Sequence, residues 1–278
     1  MKKDLSIIIP SIRPKNLNKI YESIELSCKK YSWELIIASP YILPESLLTK
    51  PNVKFIHTYS TNTISFQKAV LLAEGDLIFN TSDDGIMLPD AIDAGVDLFY
   101  SKCGDKDGVN MIYKEGVLDD VNLNVLENST SNQPIEYWDA NHHQELRMAG
   151  IDPTWKLFIQ FLMKRKHYID IGGLDCQFEF NNHALHDMAF RLQADESKIY
   201  NSPQDVYIGS HTPGLEKDHA PVHFAQTGPD IIKFRNIYSI PLAAFNRIVI
   251  PYDNWQNQPD IWERRFQKLS IYPPIFHS

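Results

Sequence analysis

The feature that most limits the fold is an alternation, within the first hundred residues, of short, largely apolar runs and amphipathic stretches. Leu5-Ser-Ile-Ile-Ile9 is stopped by Pro10, and Glu34-Leu-Ile-Ile-Ala38 is cut off by Ser39-Pro40. Runs this apolar and β-branched read as strands buried on both faces. Val53-Lys-Phe-Ile56 and Asp76-Leu-Ile-Phe79 read as two more. Between the strands, Leu17, Ile20, Ile24 and Cys28 recur at spacings of three and four, as do Phe66, Ala69, Val70 and Ala73 before Gly75. That is the spacing of one helix face. Pro89 is expected to open a third helix carrying Ile92, Gly95, Val96 and Phe99. Strands and helices in this order predict an α/β fold with a mostly parallel sheet and right-handed crossovers.

Beyond residue 100 the pattern loosens. Val109 to Tyr113 reads as a strand with a turn at Glu115-Gly116. Residues 119–150 are rich in Asn, Asp and Gln and read as loops over an opening, with His142-His143 among them. Trp138 and Trp155 are core aromatics first and sugar-stacking platforms second. Leu185, Met188, Ala189 and Leu192 define a further helix face, one from which Asp187 should point away. Val206 to Ile208 reads as a strand leading into Gly209-Ser-His211.

Composition narrows the classes of function. The 27 Lys+Arg against 35 Asp+Glu give a net charge of −8, which argues against nonspecific binding to nucleic acid. Cys28, Cys103 and Cys176 lie far apart without a CxxC, so a reducing, cytoplasmic setting is expected rather than a disulfide framework or structural zinc. The apolar stretch after Lys2-Lys3 is too short for a signal peptide, and no run suffices to span a bilayer; peripheral association with a membrane face stays open.

The sharpest motif is Thr81-Ser82-Asp83-Asp84-Gly85, directly after the fourth strand. In open α/β sheets ligands bind outside the carboxyl ends of the strands. Two carboxylates there repel unless a cation or a donor network satisfies them, and hard divalent ions are held by one or two carboxylates plus substrate phosphates. An ordinary turn is the competing reading, since Ser, Asp and Gly cluster at turns.

Five segments in chain order resemble the family 2 glycosyltransferases with the GT-A fold. These are Leu5 to Ser11; Ala69 to Phe79 with Glu74-Gly75-Asp76; Ser82-Asp83-Asp84 running on to Pro89-Asp90; Ile171-Gly-Gly-Leu-Asp175 with Phe178; and His186 to Leu192. The likeness covers residues 4–215. It implies a GT-A-type, Rossmann-like three-layer sandwich. Residues 1–215 would form the catalytic domain, with 1–100 holding a nucleotide sugar and 101–215 facing the acceptor, and 216–278 a C-terminal extension packed on the core or on another subunit. The implied activity is metal-dependent, inverting transfer from a nucleotide-diphosphate sugar, UDP-sugar favoured, to a hydroxyl of a glycan or lipid-linked acceptor.

The resemblance also implies roles. Asp84 would bind Mn2+ or Mg2+, with His211 as a further ligand and His219 and His223 as rivals for that place. Asp83 would touch ribose or metal-bound water. Pro10, Ser11, Arg13 and Ser39 would border the nucleotide, Arg13 being equally suited to a phosphate or to an exposed loop. Ser39 departs from the family's frequent acidic residue. Gly173 would lie on the acceptor side, and Asp187 would be the base that deprotonates the acceptor. The residues themselves offer Asp187 another part, pairing with Arg191 four positions on, and His186 stands in place of the family's Glu. The alternatives are a nucleotidyltransferase acting on a sugar phosphate, against which Pro10-Ser-Ile-Arg-Pro14 lacks glycine, and a noncatalytic sugar-nucleotide-binding protein. In the extension, Trp262, Phe266 and Leu269 share a helical face that could dock on the domain, a homodimer partner or a membrane.

Overall fold

The computed structural model describes residues 3–116, 158–179, 181–210 and 229–238. Four strands, β1 (Leu5–Pro10), β2 (Trp33–Ser39), β3 (Val53–His57) and β4 (Leu77–Asn80), lie parallel in the order β3-β2-β1-β4. The helices between them are α1 (Leu17–Ser27), a short α2 (Glu45–Leu48) and α3 (Asn62–Leu72).

The β1 run needs no polar alternation because both of its faces are covered. Ile8 packs with Ile36, Ile78, Phe66 and Val70 on one side, whereas Ile7 and Ile9 pack with Leu35, Leu77, Leu17 and Ile20 on the other. All are essentially without exposure. Gly75 lets the end of α3 close against β1, since a Cβ there would sit 2.5 Å from the Ser6 amide nitrogen.

After β4 the chain leaves the main sheet. β5 (Gly85–Met87) joins a second, three-stranded sheet, and α4 (Ala91–Lys102) returns along the other face. That helix starts two residues later than Pro89, because Asp90 takes a left-handed conformation (φ 58°) ahead of it. The expected strand over 109–113 is divided. Gly108–Asn110 (β6) belongs to the main sheet, and Tyr113–Gly116 (β7) belongs to the small one, replacing the expected turn.

β8 (Phe161–Lys164) runs antiparallel between β4 and β6, and β9 (Ile199–Asn201) closes the edge parallel to β6. The main sheet therefore has seven strands in the order β3-β2-β1-β4-β8-β6-β9. α5 (Arg165–Asp170), α6 (Asn181–Ala194) and β10 (Tyr207–Ser210) complete this part, and α7 (Ile231–Ile237) follows later in the chain. Phe234 and Tyr238 of that last segment are buried against Phe190 and Met188, so these residues of the proposed extension pack on the core. Among the described residues no helix is long and apolar enough to cross a membrane.

Candidate active site

The carboxyl ends of β1, β2 and β4 meet beside the link from β4 to β5, and that link is Thr81-Ser82-Asp83-Asp84. The two adjacent carboxylates do different things. Asp83 is buried and points back under the loop that follows β1. Its Oδ2 accepts from the Ser11 hydroxyl (2.8 Å) and from the amides of Ile12 (2.8 Å) and Arg13 (2.9 Å). Its Oδ1 takes the Arg13 guanidinium at 2.6 Å, and Asn16 Nδ2 donates to its carbonyl at 2.9 Å. Asp84 is half-buried, with Oδ1 accepting from the Ser82 hydroxyl at 2.7 Å.

Three of the expected nucleotide contacts, Ser11, Arg13 and Asp83, are thus brought together by bonding to one another. Arg13 is neither a loose loop charge nor an open phosphate clamp: it is 7% exposed and ion-paired. Pro10 ends β1 opposite Ala38. Ser39 is wholly buried, and its hydroxyl accepts from the Tyr41 amide at 3.0 Å. Its side chain therefore shapes the turn after β2, and its carbonyl accepts from Thr58 at the end of β3.

Near Asp84 the small sheet sets the frame. Gly209 of β10 pairs with Gly85, the residue after Asp84. His211 lies outside the described residues, as do His142, His143, His219, His223, Trp138, Trp155 and Trp262. The described residues contain no cluster of three or more His, Cys, Asp or Glu able to hold a metal unaided. The donor set nevertheless fits a hard cation that arrives with its substrate, because one carboxylate oxygen donor completed by phosphate oxygens is an ordinary magnesium environment.

A second group of predicted residues lies on the α3–α6 side. The expectation that Asp187 points away from the packed stripe is corrected: His183 to Leu192 are all buried, and Asp187 has no exposure. The reason is that α3, α7 and the Gly-Gly loop pack around α6. Asp187 Oδ2 takes Arg191 Nε at 2.8 Å, and Oδ1 takes the Tyr238 hydroxyl at 3.0 Å. Burial pushes the Asp187 carboxyl above its ordinary value, with Arg191 and Tyr238 pulling it down. Arg191 also donates to the carbonyls of Ile171 (3.0 Å) and Gly173. Asp187 therefore serves here as the counter-charge of an arginine that ties down the Gly-Gly loop.

Gly173 is required by that loop. Its φ is +62°, and a Cβ would lie 2.4 Å from the Tyr168 ring and 2.8 Å from Gln67 Nε2. Gln67 in turn donates to the carbonyls of Gly172 and Leu174, linking the loop to α3. Tyr238, Asn16 and Gln67 are partners that the sequence reading did not single out. Only Gln67 had a signal, a polar residue beside the apolar face of α3.

Comparisons with known proteins place the fold. No family model matches the chain, and no curated protein matches it by sequence. Among solved structures it is similar to Staphylococcus aureus TarS. TarS 1–349 in complex with UDP superposes with a TM-score of 0.54 at 10% identity, over 91% of this chain and 68% of that one. A second TarS 1–349 structure gives 0.53 at 12% identity, over 95% and 72%. A longer TarS structure gives 0.51 at 12% identity, covering 98% of this chain and 49% of its own. The mixed seven-stranded sheet and these neighbours define a GT-A-type α/β fold.

Proposed function

We propose that the chain is a metal-dependent, inverting glycosyltransferase that takes its sugar from a nucleoside-diphosphate donor, UDP-sugar favoured, and passes it to a hydroxyl of a glycan or lipid-linked glycan. The single observation that carries the reading is the division of labour at the end of β4. Asp83 is engaged with the β1 loop through four hydrogen bonds, and Asp84 beside it is half-buried and bonds the Ser82 hydroxyl at the same strand ends. The similarity to TarS, whose fold accommodates UDP in one of the superposed structures, supports the choice of donor.

In this reading Asp84 holds Mn2+ or Mg2+, and His211, just beyond the strand whose Gly209 pairs with Gly85, completes the protein's share. The ion would neutralise charge developing on the departing diphosphate. The chain's own residues supply position. Ser11 and Arg13, locked by Asp83, hold the backbone of the β1 loop against the nucleotide. The Gly172-Gly173 loop, pinned by Arg191, limits the acceptor side.

The proton of the acceptor hydroxyl would go to Asp187, and for that the Tyr238 hydroxyl must give way and the buried face of α6 must open to the acceptor. The Tyr238 contact favours a second reading, a sugar-nucleotide-binding protein of the same fold without transfer. A screen of nucleotide sugars for hydrolysis and transfer in Mn2+ separates them. Release of nucleoside diphosphate from one donor, lost in Asp84→Ala, supports the transferase. Tight nucleotide binding with no turnover of any donor supports the binding protein.

A further inference from the structure

α7 is seven residues long, and one face of it meets the rest of the chain. Asp230, Phe234 and Tyr238, spaced four apart, are buried, whereas Ile232 is 59% exposed and Arg235 and Asn236 are exposed beside it. Asp230 Oδ1 accepts from the Glu179 amide at 2.9 Å, and Lys233 donates to the Gln177 carbonyl. The Phe234 ring centre lies 5.1 Å from that of His183, 6.3 Å from His186 and 6.2 Å from Phe190. Tyr238 meets Phe190 edge-on at 5.4 Å, and its hydroxyl donates to Asp187 Oδ1 at 3.0 Å.

The part of α6 beneath these two rings is His183, His186, Asp187 and Phe190. Their spacing, i, i+3, i+4 and i+7, puts them on one helix face. Three of the four are polar, and all are buried. The adjoining stripe, Leu185, Met188, Ala189 and Leu192, is wholly apolar and joins the main core. A helix face that stays covered is ordinarily apolar, because burying polar groups costs energy. Two imidazoles and a carboxylate are instead the groups that hydrogen-bond a hydroxyl-bearing ligand.

The partners of Asp187 divide in the same way. Arg191 belongs to α6 itself and ties down the Gly-Gly loop, so its bond to Oδ2 does not depend on α7. Tyr238 lies at the end of α7, and lifting it frees Oδ1 while Oδ2 keeps its partner. A seven-residue helix is also well below the roughly 12–15 residues at which an isolated helix holds in water, so α7 keeps its form by being seated.

We infer that α7 is an autoinhibitory strap: seated on α6 it closes His183, His186 and Asp187 to the acceptor, and transfer requires it to lift. The inference rests on the proposed role of Asp187 as the base. Phe234 covers the two imidazoles, and Tyr238 holds the carboxylate oxygen that the acceptor hydroxyl needs. A hydroxyl-rich acceptor that bonds these groups binds only the lifted state, and its differential affinity supplies the shift towards lifting.

The test uses the full chain and two readouts. Labelling of His183 and His186 by diethyl pyrocarbonate, read by peptide mass spectrometry, reports lifting with no ligand present. Phe234→Ala speeds labelling at least about tenfold, the scale of removing a buried aromatic ring. Tyr238→Phe, which loses only the hydroxyl, speeds it about threefold. Ile232→Ser, on the exposed face, stays within about twofold of the wild type. Urea unfolding confirms that each variant is folded, and amide exchange at Leu5–Pro10 stays slow, which separates lifting from global unfolding. In the nucleotide-sugar screen, Phe234→Ala hydrolyses the donor at least about threefold faster than the wild type, because a larger share of molecules opens Asp187 to water. Unchanged labelling in Phe234→Ala, labelling that rises only in step with exchange at Leu5–Pro10, or faster labelling without faster hydrolysis would each overturn the strap. With donor turnover by the wild type, those results leave the proposed function standing. No turnover of any donor by any variant would defeat the proposed function and the inhibitory role with it.

Discussion

Replacing Asp83 with Asn tests whether this carboxylate is a structural anchor of the crevice. The carboxylate accepts four hydrogen bonds, three at Oδ2 and one at Oδ1, and its partner Arg13 is 7% exposed. An asparagine oxygen can keep the three donors around Oδ2. Its NH2 then faces the Arg13 guanidinium, donor against donor, and the buried charge loses its partner. Removing one member of a buried pair costs about 3–5 kcal/mol, of which the charged hydrogen bond itself is about 1.5–3. We expect Asp83→Asn to lose about 3 kcal/mol in urea unfolding without ligand. Arg13→Met added to Asp83→Asn should recover part of it, because the double variant no longer sets a buried guanidinium against an amide NH2. If Asp83 were instead held for ribose or metal-bound water, Asn would cost ligand affinity and spare the free protein. A stability within about 0.5 kcal/mol of wild type would refute the anchoring role.

Three further outcomes follow from named contacts. Gly173→Ala should destabilise by about 2–4 kcal/mol, combining the left-handed backbone cost with the clash against Tyr168, and thermal unfolding measures it. Burial alone would push the Glu34 carboxyl up, but hydrogen bonds from Lys54, Ser6 and the Glu74 amide overcome it, and the group titrates below its ordinary value. Its stabilisation is therefore present above the unfolded glutamate pKa and lost as pH falls through the folded one. Glu34→Gln should be less stable by about 1–2 kcal/mol at neutral pH, with the gap closing in acid; a gap independent of pH would contradict this. Asp187→Asn should cost about 3–5 kcal/mol by stranding Arg191, whereas a residue serving only as a base would lower transfer at unchanged stability.

How much could be read from the sequence varied along the chain for a physical reason. The parallel half was legible because doubly covered strands such as Leu5–Pro10 are largely apolar, and α1 carries apolar residues at helical spacing. β8 was not, because its antiparallel place between β4 and β6 depends on partners distant in sequence. β6 and β7 were merged, since two short strands in different sheets leave no break in the apolar run. At the candidate site, the Asp-Asp pair stood out in the sequence. Its division was hidden, because the donors that claim Asp83 lie some seventy positions earlier. Asp187 misled in the other direction: a polar residue beside an apolar stripe suggests exposure only if the helix has an open face, and α6 has none over 183–192.

Under the proposed function, Asp84 is the carboxylate through which a divalent ion holds a nucleoside diphosphate. Calorimetric titration of UDP with and without Mn2+, for wild type and Asp84→Ala, tests it most directly. Mn2+ is expected to strengthen UDP binding to the wild type by at least about tenfold, Asp84→Ala to abolish this gain, and the variant's unfolding midpoint to stay unchanged. UDP binding that ignores both the metal and the substitution would contradict it.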